Sequence, residues 1–245
     1  MKKLMLSVCL LPLLAAGAKA DPFSDFKKIT TDAYIKPFAA DLGGLIGAND
    51  FNSGRSIGFP GFEAGIDAAI QAKPSSDNRI LRDAKVNAFG LPMAHAGAAL
   101  PLVGADVMVR GVGYSGFSII GGGLRVPVLK SGTLTKFIPD VSVSAYYDVI
   151  NYDYFKGTHL SLDAAASFDI PVIKPYVGVG LDRTRLEVKG LSGASAALNG
   201  TAGTISKPRY TIGVRLSPMP LLYVYGAYNI LHGQTGYSVG AGLKF

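Results

Sequence analysis

The strongest constraint on this chain is a polarity that alternates residue by residue over long stretches. Between His159 and Ile170 the row His159, Ser161, Asp163, Ala165, Ser167, Asp169 is polar or small, while Leu160, Leu162, Ala164, Ala166, Phe168, Ile170 is apolar. Asp140, Ser142, Ser144, Tyr146 and Asp148 oppose Val141, Val143, Ala145, Tyr147 and Val149 in the same way. Arg209, Thr211, Gly213 and Arg215 likewise oppose Tyr210, Ile212, Val214 and Leu216. Successive side chains of a strand point to opposite faces, so each stretch has one wet face and one dry face.

From Phe62 onward about ten such segments can be marked, at approximately 62–72, 85–99, 104–114, 117–127, 139–150, 156–170, 173–187, 207–217, 220–231 and 234–245. Their lengths suit the ~9–11 residues of a tilted membrane-crossing strand, and an even number suits a closed bacterial barrel. Beyond the first twenty residues no uncharged apolar run reaches 18 residues, so any membrane crossing has to be made by strands. In hydrocarbon every backbone N–H and C=O needs an internal partner, which leaves closed barrels as the β solution. A soluble sandwich alternates too. Against it stand the short, Pro-bearing connections 101–104, 171–174 and 218–220, set against long ones at 73–84 and 188–207 on the other side, and aromatics gathered near strand ends at Tyr114, Phe117, Tyr152, Tyr154 and Phe155. The asymmetry is imperfect: 129–139 is long on the short side, and Ser115-Gly116 and Gly233-Gln234 are tight on the long side. The expected fold is all-β, an antiparallel transmembrane β-barrel of about ten strands, with Pro92 marking a bulge or irregular register in the second.

The N-terminus has a different character. Lys2 and Lys3, an apolar stretch from Leu4 to about Gly17, and small residues at Ala18 and Ala20 before Asp21 read as a secretory signal over 1–20. Cys9, the one cysteine, lies inside it, so disulfides, zinc thiolates and thiol catalysis drop out of the exported chain. Losing Lys2, Lys3 and Lys19 lowers the formal net charge from +7 to +4, too little and too scattered for nucleic-acid binding. Asp21 as cap, Pro22 at the first helical position, and Phe23, Phe26, Thr30, Ala33, Tyr34 and Phe38 at helical spacing predict an amphipathic helix over 21–36, ended by Pro37. Residues 39–60, with Gly43-Gly44, Asn49-Asp50 and Asn52-Ser53-Gly54, read as an irregular linker. The organisation is thus signal 1–20, helix and linker 21–60, and barrel 61–245, with Phe23, Phe26 and Tyr34 on a helix that could plug the lumen.

The chain ends on Tyr237, Val239, Ala241, Leu243 and Phe245, one apolar row, with Ser238, Gly240, Gly242 and Lys244 turned the other way. This closely resembles the C-terminal assembly signal of Gram-negative outer-membrane proteins. The resemblance implies location in the bacterial outer membrane, with Tyr237, Val239, Leu243 and Phe245 presented to the barrel-assembly machinery and outer-membrane lipid as partners.

Glu63, Asp67, Asp106, Arg110, Asp140, Asp148, Asp163, Arg209, Arg215 and Lys244 fall on the rows assigned inward. Unpaired charges in a narrow barrel are costly, so mutual ion pairs or water contact are expected, and a structural salt-bridge network is the simpler reading than an ion path. Catalytic sets are sparse. His159-Leu160-Ser161 resembles the His-x-Ser of outer-membrane lipid hydrolases, but the acidic residues on its face point it into the lumen, and Ile173 stands where an orienting partner would fall. No Asp/His group has metal-ligand spacing, no cofactor is implied, and Gly121-Gly122-Gly123 opens no helix, so these glycines more plausibly relieve crowding in a strand. The chain does not read as an enzyme.

The stretch from Phe26 through Lys36-Pro37-Phe38 and Asn52-Ser53-Gly54 to Gly58-Phe59-Pro60-Gly61-Phe62-Glu63-Ala64-Gly65 resembles a group of bacterial outer-membrane barrels distantly similar to the long-chain fatty-acid transporters. Those transporters have more strands and an N-terminal plug, and no functional residue transfers. The amphipathic helix, with Phe23, Phe26 and Tyr34 on one face, points instead to a plugged barrel acting as a channel or transporter for a small hydrophobic ligand. The alternative is a structural or interaction barrel acting through 73–84 and 188–207. A lipid hydrolase is a third reading, dependent on His159.

Overall fold

The computed structural model describes residues 23, 25–101, 104–132 and 138–245. The expected export signal, Asp21 and Pro22 lie outside the described residues. Two helices, α1 (Phe26–Ile29) and α2 (Asp32–Gly47), precede ten strands. These are β1 (Phe62–Gln71), β2 (Phe89–Ala99), β3 (Asp106–Tyr114), β4 (Phe117–Leu129), β5 (Asp140–Asn151), β6 (Phe155–Ser167), β7 (Ile173–Val188), β8 (Ala202–Leu216), β9 (Leu222–Leu231) and β10 (Gln234–Lys244). A short helix, α3 (Arg79–Asp83), lies between β1 and β2.

Every strand pairs antiparallel with its sequence neighbours, and β10 returns to β1 in register from Glu63↔Lys244 to Gln71↔Gly236, which closes the barrel. Closure removes the sheet edges that would otherwise leave N–H and C=O groups unpaired. The alternating rows then separate inside from outside. Ile120 is 71% exposed, Ile66 66% and Ile212 59%, while Ser161, Asp163 and Arg209 on the opposite rows are buried. A continuous apolar exterior on this scale exceeds the patches that water-soluble monomers carry. Among the described residues no helix is long and apolar enough to cross a membrane. The strands do the crossing.

One end of the barrel, here the turn end, carries the start of β1, the end of β10 and the connections 100–105, 130–139, 168–172 and 217–221. The other, the loop end, carries 72–88 and 189–201 besides three tight connections. Two of these are two-residue hairpins with both central residues at positive φ, Ser115 (44°) with Gly116 (77°) and His232 (54°) with Gly233 (95°). Such turns match the twist of the flanking strands.

The N-terminal segment departs most from expectation. The helix is interrupted at Thr30-Thr31, which separates α1 from α2, and Pro37 sits inside α2 instead of ending it. The helix loses one backbone bond there, but it runs down the lumen and from Phe38 to Gly47 is buried on every side, and such packing outweighs intrinsic propensity. Gly43-Gly44, read as linker, are helical for the same reason. A Cβ on Gly44 would stand 3.1 Å from Leu231 Cβ, and one on Gly47 2.6 Å from the Asp182 carboxylate, so the glycines let the helix lie against the wall.

The strands also differ in detail. β2 starts at Phe89, four residues after the expected 85, because 79–83 is helical, and β8 starts at Ala202, which shortens the expected 188–207 loop. Pro92 causes no bulge: β1 and β2 stay in register throughout, but the β2–β3 ladder begins only at Ala94↔Gly111, past the residue that lacks a donor. The register shift lies instead at Pro127/Leu129 between β4 and β5.

Leu162→Arg places a charge on the outer wall near the middle of β6 and should lower unfolding stability in lipid vesicles by about 2–4 kcal/mol. A change within about 0.5 kcal/mol, as for a water-exposed position, would contradict a lipid-facing exterior.

Candidate functional site in the plugged lumen

The lumen is organised around Asp50, which follows α2. One of its carboxylate oxygens accepts from Arg110 Nη1 on β3, and the other accepts from Arg209 Nη2 on β8 at 2.7 Å. In the cyclic strand order β3 and β8 stand five places apart in a ring of ten, so the two arginines reach in from opposite walls. Arg110 also makes a bidentate pair with Asp148 at 2.8 and 2.7 Å. Arg209 bonds Asp163 at 2.6 Å and Asp182 at 3.1 Å.

Each arginine reaches a partner two strands away, and the register explains how. Arg110 faces Gly121 on β4, which faces Asp148 on β5. Arg209 faces Gly180 on β7, which faces Asp163 on β6. A Cβ on Gly180 would lie 2.5 Å from Asp163 Oδ1 and 2.6 Å from Arg209 Nη2, so glycine is the residue that leaves room for the pair. The same device recurs where Tyr225 on β9 donates to Asp67 on β1 at 2.7 Å across Gly240 on β10.

Toward the turn end a second cluster forms. Arg125 lies 3.9 Å from both Glu63 and Asp106, and Arg215 lies 3.6 Å from Glu63 while donating to Asn52 at 2.6 Å. The linker is fixed by main-chain bonds: Ile57 N–H donates to Asp106 at 2.9 Å and Gly54 N–H to Ser167 Oγ at 3.1 Å. Asp67 contacts His95 at 2.5 Å, and the other His95 nitrogen contacts Tyr223 Oη at 2.9 Å. Asp140 receives the Ser131 N–H at 2.7 Å. Thus Glu63, Asp67, Asp106, Arg110, Asp140, Asp148, Asp163, Arg209 and Arg215 are all buried and all engaged with partners. A small void of ≈ 10 Å³ lies between Asp50, Asn52, Arg110, Arg125 and Tyr146, room for about one water-sized sphere.

At the loop end the filling turns aromatic. The Phe23 ring lies 5.8 Å from Phe38, 5.8 Å from Phe89, 5.0 Å from Phe117, 5.4 Å from Tyr152 and 5.5 Å from Phe155, centroid to centroid. Phe26 adds to this cage, whereas Tyr34 is only partly buried at its border. Phe23 occupies a turn before α1, so the three do not share one continuous helix. Asp41 of α2 accepts from Ser75 N–H at 2.9 Å and from Asn78 Nδ2 at 2.7 Å, which ties the plug to the 72–88 loop. Burial pushes the Asp41 carboxyl up from its ordinary range, partly offset by the hydrogen bonds it accepts.

His159 and Ser161 do not form a hydrolytic pair. His159 Nδ1 contacts Thr184 Oγ1 at 2.9 Å and Ser161 donates to Asp182 at 2.7 Å, both fully buried beside the plug. Spacing along the chain did not disclose that Asp50, His159 and Asp182 present ligand atoms within 4.8 Å of one another, because they come from the plug, β6 and β7. Arg209 and His232 already contact those carboxylates, His232 Nε2 lying 3.0 Å from Asp182, so the group is an ion-pair network. The expectation also missed Arg125, Asp182 and His232 as members. Arg125 and Asp182 sit on lumenal rows among glycines, a pattern that their alternation does carry.

An even-stranded closed barrel, apolar outside and charged within, is the architecture of outer-membrane proteins. The protein is built as a membrane-spanning β-barrel of the outer-membrane type. No family model matches the chain, and no curated protein matches it. Among solved structures it is similar to the translocator domain of the autotransporter NalP from Neisseria meningitidis, with 12% identity and a TM-score of 0.46 over 88% of this chain and 99% of that one. It is similar also to the N-terminal barrel of Pseudomonas aeruginosa OprF, with 15% identity and a TM-score of 0.34 over 77% and 99%. Neisserial surface protein A gives 15% identity and a TM-score of 0.33 over 75% and 95%. None of these scores reaches 0.5, so the membrane placement rests on the exterior and the closed ladder.

Gly180→Ala should cost about 1–3 kcal/mol by forcing Arg209 and Asp163 apart. Gly226→Ala, on the outer wall with nothing within 4 Å of the added carbon, should change little. Denaturant midpoints in vesicles check the pair, and equal midpoints would refute the spacing role.

Proposed function

We propose that the protein is a gated outer-membrane barrel in which the segment 23–58 closes a route for a small apolar molecule. The observation that carries this is the Asp50 bridge between Arg110 and Arg209. Buried ion pairs stabilise poorly compared with apolar packing of the same volume, and they fit a seat that can be exchanged better than a permanent filling. The cage around Phe23 supports an apolar ligand, because withdrawing that ring leaves a pocket walled by Phe89, Phe117, Tyr152 and Phe155. The β2–β3 seam supports the same reading. Residues 89–93 have no ladder to β3, and Phe89, Leu91 and Met93 belong to the buried cluster that holds the cage. Because the two longest connections, 72–88 and 189–201, lie at the loop end, we place the turn end in the periplasm and the cage near the cell surface.

The second reading is a structural or interaction barrel, favoured by how completely the plug fills the lumen. Planar-bilayer recordings separate the two. Wild type should be almost silent, whereas Asp50→Ala, which leaves two arginines facing each other across the axis, should show discrete openings, and Phe23→Ala should raise retention of an apolar fluorophore. Silence from Asp50→Ala and from a 21–48 deletion, both still heat-modifiable on gels and therefore folded, would sink the gate and leave the structural barrel.

A further inference from the structure

At the turn end a groove of ≈ 670 Å³ opens between the plug linker, the 168–172 and 217–221 turns and the end of β10. We propose that it binds the phosphate headgroup of an anionic lipid from the periplasmic leaflet, with the acyl chains lying on the adjoining outer wall. Arg55, Lys174, Arg215 and Lys244 line it, and no carboxylate side chain does. Their charge is only partly compensated. Asp169 serves both Lys174, at 2.8 Å, and Arg55, which also lies 4.0 Å from Asp140, while Glu63 serves both Arg215 and Arg125. Lys244 Nζ donates to the Ser56 carbonyl at 3.2 Å, and among the described residues no carboxylate stands within ion-pair distance of it. A half-buried ammonium beside guanidinium groups favours an anion.

The rim tells which anion. Val172, Met219 and Leu221, in the turns, and Phe245, just past β10, line the same groove and stand about half exposed, so cationic floor and apolar rim are continuous, as an amphiphile requires. Val172 holds φ at 68°, a conformation costly for a β-branched residue, and such strain is concentrated at functional positions. A free phosphate would use the floor and leave the rim without a role. The inference rests on the barrel standing in a membrane with its turn end toward the periplasm, and is independent of the gate.

The test uses the full chain extracted into micelles holding equal phosphatidylglycerol and phosphatidylcholine, with bound lipid read by native mass spectrometry. Wild type should retain phosphatidylglycerol, and the double variant Lys174→Gln, Lys244→Gln should lose the preference by about tenfold. Met219→Ser with Leu221→Ser should weaken retention of both lipids while leaving the preference. Heat-modifiable migration shows that each variant is folded, and Lys156→Gln on the loop side serves as the neutral control. Equal retention of the two lipids by wild type, or a preference unchanged in the lysine variant, overturns the proposal. Displacement of the lipid by inorganic phosphate at equal concentration overturns it too, in favour of a soluble anion.

Discussion

A single carboxylate at the barrel axis is the contact on which the interior depends. An eight-stranded barrel is just narrow enough for its own side chains to fill, and a ten-stranded one is wider. Arg110 and Arg209 therefore face a gap that neither wall can close, and like charges pointing inward would repel each other. Asp50 sits between them and accepts from both. The walls answer with Asp148, Asp163 and Asp182, so the two buried guanidinium groups are met from the plug side and from the sheet side. The plug is thus a component of the electrostatics of the wall, and its chain path follows from where that carboxylate has to stand.

Glycine makes this possible in two ways. On the wall, Gly121 and Gly180 clear the strand that separates each arginine from its aspartate. On the plug, Gly43, Gly44 and Gly47 bring the helix against β6, β7 and β9, close enough that Gly47 packs on the Asp182–Arg209 pair. In a strand or helix considered alone glycine is a weakness. Here the lost intrinsic stability is offset by charge pairs that any side chain would prevent.

This also explains what could be read from the chain and what could not. The alternation of β5, β6 and β8 determines which residues face inward, because burial on one face demands a period of two. The closed barrel and its inward charges were legible for that reason. Partners were not, since pairing across two strands depends on register, and a strand sequence does not state its register. Asp50 was hidden more deeply. Asn49-Asp50 has the composition of a turn, and Gly43-Gly44 and Pro37 argue locally against helix, so only packing inside the lumen makes α2 continuous. The Pro92 expectation failed for a related reason: its missing donor matters only where a neighbour asks for it, and β3 does not pair there.

The plug is held differently along its length, and that gradient bears on how it could move. At the loop end the contacts are mostly aromatic and non-directional, apart from the hydrogen bonds that Asp41 accepts from the 72–88 loop. Midway they are ion pairs, which are strong only at correct geometry and fall away once Asp50 leaves the axis. At the turn end Gly54, Ser56 and Ile57 are pinned through their own backbone to Ser167, Lys244 and Asp106, next to the covalent link into β1. If the plug moves as the proposed gate requires, a segment anchored at one end and held by exchangeable contacts elsewhere is released from the side away from the anchor. Withdrawal would therefore begin at the Phe23 cage, cross the ionic belt as one cooperative step, and stop at the pinned linker, which keeps the plug tethered in its own barrel.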